Sequence, residues 1–205
     1  MQKPVLIITA AAVAIIAAAA IFVTFSGPSK FELSKAMLNS DGADIGGSFT
    51  LVRQDGNEVT DKQVLDKPSL IYFGYTFCPD VCPVDVQVMA DAVDLLAKKN
   101  IAVQPVFITV DPARDTVKEL AAYAEVMHPK LVALTGSDDQ IATAAKAYKV
   151  YYNRQNVPGS AAEYLMQHTS FTYLVLPEHG VVTIFRNGFP PEQIAGDVER
   201  VLAAY

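Results

Sequence analysis

Residues 68–97 set a continuous apolar run, a pair of cysteines and a helical pattern back to back. Pro68-Ser-Leu-Ile-Tyr-Phe-Gly-Tyr75 has no polar alternation, so it reads as a strand buried on both faces. Such a strand needs a layer of structure above it and another below. From Pro83 onward, Val84, Val88, Met89, Ala92, Leu95 and Leu96 recur at helical spacing. Proline suits the first helical position, and Lys98-Lys99 suits the last turn. The junction between strand and helix carries Cys78-Pro-Asp-Val-Cys82. A strand that feeds a helix through a tight, chemically loaded corner is the basic unit of an α/β fold.

The rest of the chain extends that unit. Residues 48–60 hold two short alternating runs around Asp55-Gly56, a hairpin signal. Ile101–Val110 reads as a second buried strand, 115–127 as a helix, 131–134 as a third strand and 137–147 as a helix. A short strand over 150–152 precedes a polar loop, 153–167. Strands over 171–176 and 181–185 turn at Pro177-Glu-His-Gly180, and a helix over 191–204 closes the chain. Alternating strands and helices predict a largely parallel central sheet. The terminal antiparallel pair and last helix predict the thioredoxin-like arrangement, with the 48–60 hairpin added in front.

Ahead of this lies Val5–Phe25, 21 residues without a charge. That length spans a hydrocarbon core at ~1.5 Å per residue. A cleaved signal peptide would have a shorter apolar stretch and a small-residue cleavage site, whereas Phe22-Val-Thr-Phe-Ser-Gly27 follows here. The expectation is an uncleaved single-pass transmembrane helix within residues 1–27, a linker and approach segment over 28–45, and one domain over 46–205. Lysines flank the apolar run on both sides, so they do not set its orientation. From residue 28 on, 15 basic and 22 acidic side chains leave a formal charge of −7. An acidic domain is a poor ligand for phosphate backbones, so nucleic-acid binding is not expected.

There are only two cysteines, four positions apart. A disulfide framework would use more, spread more widely. A close pair at a helix N-terminus, where unpaired N–H groups favour thiolates, points instead to redox or metal chemistry. C-x-x-x-C is not the C-x-x-C of disulfide oxidoreductases. Two thiolates suit copper(I) and, less exclusively, zinc, and either metal wants a further donor. Of the three histidines, His179 sits in a turn and His128 at a helix C-terminus. His168, at the corner before the 171–176 strand, is the favoured ligand, though spacing alone leaves that role open.

Tyr72-Phe-Gly-Tyr-Thr-Phe-Cys-Pro-Asp-Val-Cys-Pro83 resembles the signature of the Sco/SenC family of copper-binding cytochrome c oxidase assembly proteins. Gly46-Gly-Ser-Phe-Thr-Leu51, Val110-Asp-Pro-Ala-Arg-Asp-Thr116 and His168-Thr-Ser170 before Tyr173-Leu-Val175 extend the resemblance over roughly residues 32–204. It implies a thioredoxin-like fold with an added hairpin, and copper, as Cu(I) or Cu(II), on Cys78, Cys82 and His168. It implies delivery to the CuA site of oxidase subunit II, by a domain facing the periplasm or an intermembrane space from the inner membrane. An upstream copper carrier and a thiol reductant would be further partners. Such a carrier is not an enzyme. The rival is a thiol–disulfide reductase that keeps the CuA-site cysteines of subunit II reduced. Two local departures are Pro177-Glu-His-Gly, where Pro-Asp-Gly is more usual, and Gln167 before His168.

Smaller expectations attach to neighbours. Asp111 reads as an Asp-Pro turn with helix capping, and Arg114 and Asp115 as a local ion pair. Asp80 could tune thiolate charge, Met166 packs or offers a thioether, and Tyr75 and Phe77 shield the site.

Overall fold

The computed structural model describes residues 45–157 and 162–205. The expected anchor over 1–27 and nearly all of the linker lie outside them. Among the described residues no helix is long and apolar enough to cross a membrane.

The strands are β1 Thr50–Arg53, β2 Glu58–Thr60, β3 Ser69–Gly74, β4 Gln104–Thr109, β5 Val132–Thr135, β6 Tyr152–Asn156, β7 Tyr164–His168, β8 Phe171–Leu176 and β9 Gly180–Arg186. The helices are α1 Asp61–Val64, α2 Val81–Ala97, α3 Val117–Met127, α4 Asp138–Ala147 and α5 Pro191–Leu202. Seven strands form one sheet in the order β2-β1-β5-β4-β3-β8-β9. Only β5, β4 and β3 run parallel; β1 joins β5, and β8 joins β3, antiparallel. The expectation of a largely parallel sheet therefore holds for its centre alone. The flanking hairpins need no crossover helix, so they add antiparallel strands at both edges.

Every residue of β3 is buried, as its unbroken apolar run demands. α2 lays Val86, Met89, Val93 and Leu96 against the sheet at helical spacing. It starts two residues before Pro83, which brings Cys82 into its first turn. Thr116 and Ser137 cap α3 and α4 through their side chains, accepting from Glu119 N and Gln140 N.

The one large departure from the sequence reading is the 153–167 loop. It contains β6 and β7, an antiparallel ribbon pairing Tyr152 with His168 and Asn156 with Tyr164. β6 is almost wholly exposed, so it carries no apolar alternation to announce it. The ribbon's base is closed by Thr169 N–H donating to Tyr151 O at 2.9 Å. It leads into β8, whose first residues pair with the end of β3, Thr172 opposite Tyr72. His168 is thus delivered to the edge of the sheet where β3 releases the cysteine loop.

Candidate metal centre

The carboxyl ends of β3 and β4 open on the same edge, with Val110 N–H donating to Gly74 O at 2.7 Å. One loop brings Cys78 and the other brings Asp111–Thr116. Gly74 is where the strand passes the thiols. A Cβ there would stand 2.8 Å from Tyr72 Cε1 and 3.3 Å from Cys82 Sγ, so only glycine fits.

Cys82 is buried and Cys78 partly exposed, and the two are not bonded to each other. Cys82 N–H donates to Cys78 Sγ at 3.4 Å, and Cys82 Sγ lies 3.0 Å from His168 Nε2. His168 Nδ1 lies 3.2 Å from Thr169 O. A carbonyl only accepts, so Nδ1 carries the proton and Nε2 presents a lone pair to Cys82. The tautomer a metal ligand needs is therefore already set. The Tyr72 and Tyr75 rings meet the imidazole edge-on, at 6.1 and 5.9 Å between centroids, and fix its plane.

The two thiols differ in protonation. The hydrogen bond from Cys82, and contacts with His168 and the backbone N–H groups of Cys82 and Asp80, hold Cys78 well below the usual thiol range against the opposing effect of burial. The Cys78 thiolate and burial push Cys82 the other way. Of the pair, Cys78 is the one held toward the thiolate and Cys82 the one held toward the thiol.

Cys78, Cys82 and His168 are thus brought together. Among the described residues no three His, Cys, Asp or Glu side chains stand as a ready metal cage. Ligand bonds of ~2.3 Å to sulfur and ~2.0 Å to nitrogen would set S and N roughly 3.7 Å apart at trigonal angles. The observed 3.0 Å is a hydrogen-bond spacing. A soft cation held by both Cys82 and His168 would need this contact to widen and the Cys82 proton to leave to solvent. The donor set, two sulfurs and an imidazole, suits copper(I). His128 and His179 take no part. His128 Nε2 faces Asp94 at 3.2 Å and its Nδ1 accepts from Lys130 N–H. His179 packs against the Tyr205 ring at a tilt, 4.4 Å between centroids.

The sequence profile of SCO1/SenC proteins matches residues 38–203. The chain belongs to the SCO1/SenC family. It is 46% identical over 169 residues to protein SenC of Rhodobacter capsulatus, 82% of this chain and 76% of that one. The crystal structure of Arabidopsis thaliana ScoI with copper bound superposes with a TM-score of 0.75 at 38% identity, over 78% of this chain and 99% of that one. BsSco, described as a member of the Sco family of cytochrome c oxidase assembly proteins and as having a disulfide switch, superposes with a TM-score of 0.61 at 27% identity, over 80% and 96%. The fold is the mixed α/β, thioredoxin-like fold of the Sco structures.

In this SCO1/SenC protein the 111–116 segment does more than the sequence suggested. Arg114 and Asp115 are not paired with each other. Arg114 Nε donates to Asp111 Oδ2 at 2.5 Å, while its Nη1 donates to the Ala162 and Tyr164 carbonyls at 3.2 and 3.1 Å. Its guanidinium also lies 4.8 Å from the Phe77 ring centroid and 3.7 Å from that of Tyr164. Asp111 does not cap a helix: its other oxygen accepts from Tyr164 Oη at 2.9 Å. Asp115 turns inward, fully buried, and accepts from Thr76 N–H, Thr76 Oγ1 and Thr109 Oγ1 at 3.0, 2.5 and 2.5 Å. Three residues thereby tie the cysteine loop to the ribbon that bears His168. The Asp-Pro-x-Arg-Asp-Thr motif was the available signal, but its partners are some 40–50 residues away in the chain.

Proposed function

We propose that this protein binds copper through Cys78, Cys82 and His168 and hands it to the CuA site of cytochrome c oxidase subunit II during assembly. The observation that carries the reading is the Cys82–His168 contact at 3.0 Å, with the imidazole lone pair aimed at the thiol. Membership of the family, the copper carried by the related Arabidopsis protein and the oxidase-assembly description of BsSco support it.

Copper here is cargo. Cys78 offers a thiolate at the outset, Cys82 gives up its proton as the ion enters, and His168 Nε2 supplies the nitrogen. Two thiolates bind firmly, yet Cys78 is accessible, so thiols on an acceptor can replace the ligands one at a time. No bond in an organic substrate is made or broken, and the protein acts as a carrier rather than an enzyme. The working place is the outer face of the inner membrane or an equivalent intermembrane space, with residues 1–27 as anchor. An upstream copper carrier would load the site.

The asymmetry of the thiols favours a second reading, a reductase for the acceptor's CuA cysteines. The Cys78 thiolate would attack the acceptor disulfide, and Cys82 would resolve the mixed disulfide. That releases the acceptor dithiol and leaves a Cys78–Cys82 disulfide for an external thiol reductant to restore.

His168→Ala separates the two, because a reductase needs only the thiols. The carrier reading expects two titratable thiols, loss of stoichiometric copper in the purified chain and loss of CuA in cells. Full oxidase assembly without copper binding would falsify it.

A further inference from the structure

Copper(I) prefers soft donors, and the site holds one that neither family motif nor histidine spacing points to. β7 places Tyr164, Met166 and His168 on one face of the ribbon and Leu165 and Gln167 on the other. Both flanking residues of the first set are pinned inward. Tyr164 Oη donates to buried Asp111, and His168 Nε2 meets Cys82 Sγ. The other face is tied outward by Gln155 Nε2 donating to Gln167 Oε1 at 3.0 Å. Met166 therefore faces inward between two anchored neighbours. It is partly buried and packs against the core edge. All of Leu165–His168 borders the open cavity, about 620 Å3, that Tyr75 and Cys78 also line, and of Leu165, Met166 and Gln167 it is Met166 that packs against the core.

We infer that Met166 is a third sulfur donor to copper(I) in this centre. The inference rests on the copper reading above and deepens it. The thioether is neutral, has three rotatable bonds and carries no proton to displace, so its engagement changes no charge and needs no base. Together with two thiolates and an imidazole it completes a four-donor set that favours copper(I) over copper(II) or zinc. A weak fourth ligand also keeps the ion covered while a thiolate is exchanged to an acceptor.

X-ray absorption at the copper edge of the full-length, copper(I)-loaded chain labelled with selenomethionine tests this directly. The expected result is a selenium neighbour at bonding distance in the wild-type sequence, absent in Met166→Leu, whose side chain keeps the packing volume. Chelator competition should show copper(I) affinity about tenfold weaker in Met166→Leu, with zinc affinity unchanged. No selenium neighbour in the wild type, or one that survives in Met166→Leu, overturns the assignment. Equal copper(I) affinities of the two chains would also do so. A wild-type chain that binds no copper(I) fails differently: it removes the carrier reading itself.

Discussion

Cys78 and Cys82 have opposite protonation because of position, not composition. Cys78 lies before α2 and receives N–H donors and the Cys82 thiol; Cys82 sits inside the first turn, buried against β3. A depressed thiol pKa keeps the thiolate populated as pH falls below the ordinary ~8.5. Alkylation of Cys78 should therefore stay nearly constant from pH 8 down to about 6, whereas an ordinary thiol would slow about tenfold per unit. Cys82 should remain unmodified over the same range. In Cys82→Ala the largest cause of the depression is gone, and the Cys78 profile should move toward that of a free thiol. Mass spectrometry of the alkylated chain reads both, and an unchanged profile in Cys82→Ala would reject the coupling.

At the scale of elements, the centre is made where a loop and a ribbon meet, and neither is rigid alone. A two-stranded ribbon is at best marginally stable in water. β6–β7 is held by Arg114, which grips the Tyr164 carbonyl, that of Ala162 just ahead of β7, and the Tyr164 ring while lying against Phe77 of the cysteine loop. Arg114→Lys keeps a charge opposite Asp111 but loses the fork and the planar stack. The fold should survive. Amide exchange over residues 152–168 should speed up, and metal affinity should fall by about tenfold or more. Unaltered exchange in the ribbon would show that Arg114 does not hold it.

For the whole molecule, the front hairpin is part of the core rather than an appendage. β1 pairs with β5, and Phe49 and Leu51 belong to the same buried cluster as Tyr72, Phe73 and Phe107. Leu51 is fully buried, so Leu51→Ala should cost about 2–5 kcal/mol. Urea unfolding followed by circular dichroism and by tyrosine fluorescence should give one shared, earlier transition. Two separate transitions would mean that the hairpin folds on its own.

The unbroken apolar run of β3, the proline and cysteines at its end and the 3.6-residue period of α2 determined the strand–corner–helix unit without reference to distant residues. They also determined that the corner carries soft donors. Local cues placed the hairpins at 48–60 and 171–185 and the helices starting near 115 and 137, since each depends on neighbours a few residues away. Other features needed the tertiary structure. β6–β7 has an exposed, polar strand with no period to read, and the role of His168 followed from a family resemblance rather than from its spacing. That it meets Cys82, that Arg114 leaves Asp115 for Asp111, and that Met166 packs against the core edge are consequences of long-range pairing. Sequence patterns record which face of an element is buried; which buried groups then touch is set by how the elements pack.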